Sequence, residues 1–273
     1  MNVAEYLQYL QTEYFDNRSD AIEFASHTTG IPYTLISVNL NEHVEITRET
    51  KQKLARINAD EPLAYVIQNK NFYGLDMYVD ENVLIPRPET EILVDEALKF
   101  AGKRENLRVL DICTGSGCIL TALMSSLPDS EGIGLDISEG ALDAAKFNAD
   151  THGIAERVDF VKGDALRIKE LGLGTFDIVT CNPPYLSESE WLLSAKSLKY
   201  EPKNALSAGK DDILFYKKLL DMIPYLCNKN GGGAFFELGI GQYQKLLDSG
   251  YAKDCSVTKD YQHIERVVSW INL

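Results

Sequence analysis

In the first part of the chain the apolar positions recur at helical spacing: Val3, Tyr6, Leu7, Leu10 and Tyr14 fall on one face. Ser19-Asp20 can cap a second helix ending by Gly30, Pro32 suits the first turn of a third, and TRETKQKLARINADEP reads as a charged fourth. From Phe72 to Leu84 the pattern becomes an alternation around Gly74 and Asp80-Glu81-Asn82, which predicts a hairpin. After Pro88, ETEILVDEALKF carries acids in its first turn and Leu93, Val94, Ala97 and Leu98 as a core face. Then strand and helix patterns alternate. Strands are expected at 108–113, 132–137, 158–164, 176–182 and 232–239, with helices at CILTALMSSL, SEGALDAAKFNADTHG and DDILFYKKLLDMIPYL. SVTKDYQHI and RVVSWINL follow each other without a helix, which predicts an antiparallel hairpin closing a mostly parallel sheet. The chain thus reads as a helical domain over 1–70, a hairpin linker over 71–85 and an α/β domain over 86–273. The crossover rule makes the α/β part a doubly wound, Rossmann-like sheet, with ligands at the carboxyl edge of its strands.

Length and composition alter this picture little: 273 residues, 45% hydrophobic and 25% charged, suffice for one large domain or two smaller ones. Charge changes it more, because a formal net charge of −14 disfavours a broad grip on nucleic acid phosphates. The five cysteines, Cys113, Cys118, Cys181, Cys227 and Cys255, include no C-x-x-C and read as free thiols of a reducing compartment, not as metal ligands. The start MNVAEYLQYLQTEYF has no signal-peptide character, and no apolar run could span a bilayer, so a cytoplasmic protein without membrane attachment is expected.

Two segments carry candidate chemistry. Asp111-Ile-Cys-Thr-Gly115-Ser-Gly117 lies between the first strand of the α/β part and the helix that follows, where glycines permit close approach and a helix start offers free N–H groups. A dinucleotide fingerprint needs glycine at position 120, which is Leu120, and this argues against NAD. Asp136 and Asp164 end the next two strands. Asp136 is placed to accept ribose hydroxyls and Asp164 to meet an adenine amino group, although either could merely cap a loop. The second segment, Asn182-Pro183-Pro184-Tyr185, ends the fourth strand. The prolines forbid further ladder pairing, so the segment is either a stiff loop or a rigid hydrogen-bonding fork.

With D-x-x-T-G-S-G, the acid of GLDIS and NPPY together, the chain resembles the class I S-adenosylmethionine-dependent methyltransferases. EPLAYVIQNKNFYGLDMYVDENVLIPRPETEILV, NADTHG and EPKNALSAGKDDILFY narrow the likeness to the HemK/PrmC-type glutamine methyltransferases of peptide chain release factors, over nearly the whole chain. The resemblance implies transfer of a methyl group from S-adenosylmethionine, leaving S-adenosylhomocysteine, to the N5 amide nitrogen of a glutamine. That glutamine would be the one in the GGQ sequence of a release factor. It implies cofactor contacts from Asp111, Cys113, Thr114, Gly115, Ser116, Gly117, Asp136, Asp164, Ala165 and Asn182. Substrate would meet Asn182, Pro183, Pro184 and Tyr185. Of these, Asn182 and the Pro183 carbonyl accept the amide N–H groups as charge grows on nitrogen, and Tyr185 packs on the amide plane. No strong base is required, and His27, His43, His152 and His263 all lie outside the glycine loop and NPPY.

Two positions depart from the family pattern: Cys113 stands where glycine is common, and Asp212 stands in G-K-D-D where G-x-D-G is frequent. Arg87 and Glu89 either line the cleft or pair at a helix start, and Lys199, Lys203 and Lys210 either meet a partner or face solvent. The helical domain, remote from the cofactor motifs, is expected to recognise the protein substrate. A monomer without direct DNA binding is expected. The competing activity is methylation of adenine N6 or another amino group on nucleic acid, which would also use NPPY.

Overall fold

A computed structural model describes residues 1–271; Asn272 and Leu273, the end of the last expected strand, lie outside the described residues. The chain forms two compact units, Met1–Asn69 and Lys70–Leu273. In the first, α1 (Val3–Glu13) starts at a capping box in which Asn2 and Glu5 each accept the other's backbone N–H. The cap of α2 (Arg18–Thr29) is Asn17, not Ser19-Asp20: its side chain accepts from the Asp20 N–H, and Gly30 ends the helix at φ 74°. Pro32 leads into a single 3₁₀ turn, Tyr33–Leu35, where a full helix was expected. Thr47 caps α3 (Arg48–Ile57), and the short α4 (Leu63–Ile67) follows Pro62. Tyr6, Leu10, Phe24, Ile36 and Leu54 are buried together as its core.

The second unit opens with β1 (Lys70–Phe72) and β2 (Leu75–Met77), a hairpin shorter than predicted because Asp80 accepts from the Asn82 N–H and holds a loop there. A 3₁₀ turn, Pro88–Thr90, leads into α5 (Glu91–Ala101). Then come β3 (Arg108–Ile112), α6 (Cys118–Ser126), β4 (Glu131–Asp136), α7 (Glu139–Thr151), β5 (Val158–Lys162) and β6 (Ile178–Cys181). The polar stretch after β6 is structured by short elements: β7 (Leu186–Ser187), α8 (Glu188–Leu193), α9 (Lys203–Leu206) and β8 (Ser207–Gly209). The helix expected over DDILFYKKLLDMIPYL is two pieces, α10 (Leu214–Leu220) and α11 (Ile223–Leu226), because Pro224 cannot continue the ladder of the first and sits well in the first turn of the second. β9 (Gly233–Glu237), α12 (Gln242–Asp248), β10 (Ser256–Lys259) and β11 (Glu265–Ile271) complete the unit.

Seven strands form one sheet in the order β10-β11-β9-β6-β3-β4-β5. Only β11 runs antiparallel to the rest, inserted between β9 and β10. Neighbouring residues face opposite sides: Phe235 and Val267 join Leu93, Leu120 and Ile178 on one, while Phe236 and Val268 join Leu110, Val179 and Leu246 on the other. Burial on both faces explains why these strands read as continuous apolar runs. From β3 the chain proceeds outward through β4 and β5, and from β6 outward through β9. The switch point between β3 and β6 is where such a sheet opens a crevice at its carboxyl edge.

Candidate active site

That crevice holds a cavity of about 330 Å³, a size that suits a small-molecule ligand. Its wall includes Cys113, Thr114, Gly115 and Ser116 from the loop after β3, Asp136 from β4, Asp164 and Ala165 after β5, and Asn182 and Pro184 after β6. Pro86, Arg87 and Thr90, from the segment leading into α5, close another side.

The loop after β3 is fastened to β4 by backbone and carboxylate. Thr114 N–H donates to the Leu135 carbonyl at 3.0 Å, and Gly115 N–H donates to Asp136 Oδ2 at 2.9 Å. The second oxygen of Asp136 accepts from the Ser138 N–H at 2.9 Å. Burial raises the Asp136 carboxyl above its ordinary value, against three backbone donors, so the side chain is an acceptor short of solvent. Asp164 accepts from the Leu166 N–H at 2.8 Å, capping a 3₁₀ turn while still lining the cavity.

Asp111, Gly117, Pro183 and Tyr185 do not line the cavity; they support it. Asp111 is fully buried beneath the loop and accepts from the hydroxyls of Thr114 at 2.6 Å and Thr180 at 2.8 Å. Burial pushes its carboxyl up to about 7 despite those donors. Gly117 sits at φ 74°, and a Cβ there would stand 3.0 Å from the Ala145 Cβ, so glycine is what brings α6 close to α7. Pro183 is buried. The Tyr185 ring lies against Gly239, and its backbone carbonyl accepts from Gln242 Nε2 at 2.9 Å. Burial pushes the Tyr185 phenol up to about 12, so it stays neutral.

Cys113 adopts φ 59°, so the position does require the left-handed region that glycine enters freely. Asp212 does not: its carboxylate accepts from Lys245 at 2.7 Å, and the left-handed residue of that turn is Gly209. Arg87 both lines the cavity and pairs with the buried Glu201 at 2.6 Å, and Glu201 also accepts from the Ile85 N–H. Lys199 and Lys203 stack on the Trp191 ring at 4.0 and 4.5 Å. Lys210 is exposed, and Glu89 does not line the cavity.

Sequence reasoning missed Thr90 and Asn148. Asn148 of α7 accepts from the Tyr78 N–H at 2.7 Å and donates to the carbonyls of Tyr78 and Ser116, tying the loop before α5 to the glycine loop. Thr90 accepts from Asn182 Nδ2 at 3.2 Å. Asn182 Oδ1 and the Ser116 hydroxyl are buried without a hydrogen-bond partner among the described residues. An unsatisfied buried polar atom costs about 1–3 kcal/mol, and Asn182 and Ser116 both line the cavity.

Comparison with other proteins turns the same way. Residues 103–231 match a family model described as "Methyltransferase domain". The chain is 38% identical to the release factor glutamine methyltransferase of Chlorobaculum tepidum over 76% of this chain and 74% of that one. It is 39% identical to the protein of the same name from Geobacter sulfurreducens, over 79% and 75%. The chain belongs to the release factor glutamine methyltransferases. Among solved structures, the hMettl16 catalytic domain in complex with MAT2A 3′UTR hairpin 1 superposes with a TM-score of 0.58 over 92% of this chain and 91% of that one. At 15% identity that likeness speaks for the fold alone.

Proposed function

We propose that the protein transfers the methyl group of S-adenosylmethionine to the side-chain amide nitrogen, N5, of a glutamine in peptide chain release factors. The glutamine is that of their GGQ sequence, and S-adenosylhomocysteine is the product. One observation carries the reading within the site: Asn182 stands in the wall of the cavity with an acceptor oxygen that no donor satisfies. A glutamine amide has two N–H donors and a nitrogen lone pair drawn into its carbonyl, so it must be held by acceptors to react. Asn182 Oδ1 takes one N–H and the Pro183 carbonyl takes the other. Both then strengthen as positive charge develops on nitrogen. A glutamate has no N–H to offer this fork.

The cavity suits the methyl donor, because its volume and its donor-short Ser116 hydroxyl leave room and valence for a nucleoside with a charged tail. Bound S-adenosylmethionine supplies an electrophilic methyl group on a sulfonium centre. Asp136 accepts from the ribose hydroxyls, Asp164 and Ala165 border the base, and Cys113, Thr114, Gly115 and Ser116 wrap the remainder. Asp111 and Gly117 shape that loop from behind. Tyr185 anchors the segment that carries Asn182. The helical unit, residues 1–69, recognises the release factor. The enzyme works as a monomer in the cytoplasm on protein, not on DNA, in keeping with its net charge of −14.

The direct experiment is incubation with methyl-labelled S-adenosylmethionine and a release factor, followed by mass spectrometry of its peptides. Label on the GGQ glutamine is expected. Label elsewhere, or label on an adenine of added nucleic acid instead, overturns the reading.

A further inference from the structure

The segment before α5 brings a cation into the cavity wall. Among the described residues that line the cavity, Arg87 is the only arginine, lysine or histidine, and the acids are Asp136 and Asp164. Its place is fixed from behind. Glu201, with a side chain only 3% exposed, accepts from Arg87 Nη2 at 2.6 Å through one carboxylate oxygen and from the Ile85 N–H at 3.1 Å through the other. That carboxylate clasps residues 85–87 to the segment after NPPY, from which Asn204, Ala205, Ser207 and Ala208 also line the cavity. A guanidinium stays charged and has five N–H groups. Arg87 Nε and Nη1 have no acceptor among the described residues.

Arg87 also stands at the reacting end of the cavity. Its carbonyl accepts from the Thr90 N–H at 3.0 Å, and Thr90 Oγ1 accepts from Asn182 Nδ2 at 3.2 Å. The sulfonium of the methyl donor must come to Asn182 for transfer, and the amino-acid tail hangs from the same sulfur. The α-carboxylate of that tail is an anion, and the other charged groups of the wall are two acids. Leaving water costs an anion heavily unless N–H groups of a cation meet it. We propose that Arg87 is a cofactor-binding residue: its unengaged N–H groups take the α-carboxylate of S-adenosylmethionine, and Glu201 holds the guanidinium in place to do so. Glu201 has a second effect. An unpaired guanidinium would repel the nearby sulfonium, whereas the Arg87–Glu201 pair offers directed N–H groups with little net charge. The inference rests on the reading of this cavity as the methyl-donor site and adds a residue which that reading did not assign.

The test is calorimetric binding of S-adenosylmethionine and of decarboxylated S-adenosylmethionine, which keeps the sulfonium and the amine and lacks the carboxylate. Wild type should bind the complete cofactor about 10–100-fold more tightly, the range for a hydrogen bond to a charged group. Arg87→Met should abolish that preference, bringing the two Kd values within about three-fold of each other by weakening the complete cofactor. A damaged fold weakens both ligands alike and leaves their ratio as it was, so the ratio separates recognition from stability. Arg87→Met leaves Glu201 buried without its cation. If that variant does not fold, Arg87→Met/Glu201→Gln removes both charges and should show the same loss of preference. A wild type that binds both ligands alike, or a preference that survives in the folded variant, would overturn the assignment. So would unchanged Kd values for both ligands with a raised KM for the release factor, which would give Arg87 to the protein substrate. Failure of the underlying reading has another signature: wild type binds neither ligand.

Discussion

Asp136 accepts from the Gly115 and Ser138 N–H groups and still lacks solvent, so any hydroxyls brought to it bind a charge short of further partners. Asp136→Ala should therefore weaken S-adenosylmethionine binding by about 1.5–3 kcal/mol, the usual value for hydrogen bonds to a charged group. Calorimetry that returned an unchanged affinity would contradict the ribose assignment. Asp111 makes a different prediction, about stability. Its folded value, about 7, lies above the ordinary 3.8, so its contribution to stability is complete below about 4 and is lost as pH rises through 7. Asp111→Asn keeps partners for both threonine hydroxyls and removes the charge. Its stability relative to wild type should rise with pH by about 1.4 kcal/mol per unit between roughly 4 and 7 and level off above. Urea titrations at pH 5, 6, 7 and 8 that gave a constant difference would refute this. At this scale the sequence was partly legible. Asp136, Asp164 and Asn182 announce themselves as polar residues at strand ends, whereas Thr90 meets Asn182 only through a contact over 92 residues of sequence, which no local pattern encodes.

Elements were legible where a hydrophobic period ran long enough to outvote its surroundings. The strands β3, β4, β5, β6 and β9 and the helices α1, α6 and α7 lie within a few residues of their expected positions. Short pieces were not: α4 has five residues and α9 four, less than two turns, too few to show a period. The expected helix across Pro224 erred because its apolar positions fit one helix while its backbone could not. The loop between β3 and α6 is an element in its own right, with left-handed residues at Cys113, Gly115 and Gly117. Gly117→Ala would bring a methyl to 3.0 Å from Ala145 and force a left-handed alanine, so it should destabilise the fold by about 1–3 kcal/mol. A melting temperature within a degree of wild type would show that α6 and α7 can part without penalty.

At the scale of the whole molecule, every residue assigned to the methyl donor or to the amide lies in the unit Lys70–Leu273, and the unit Met1–Asn69 contributes none. Removing residues 1–69 should leave S-adenosylmethionine binding measurable while methylation of an intact release factor collapses. A truncated, folded protein with full kcat/KM would assign recognition to the catalytic unit instead. The central claim concerns the intact chain: the NPPY segment holds an amide nitrogen and does more than end a strand. The most direct test is single-turnover methyl transfer to a release factor by wild type and Asn182→Ala at saturating cofactor. Removing one preorganised acceptor should lower the rate on the order of 10²–10³-fold with both proteins folded; a ratio near one would make the segment a stiff loop and nothing more.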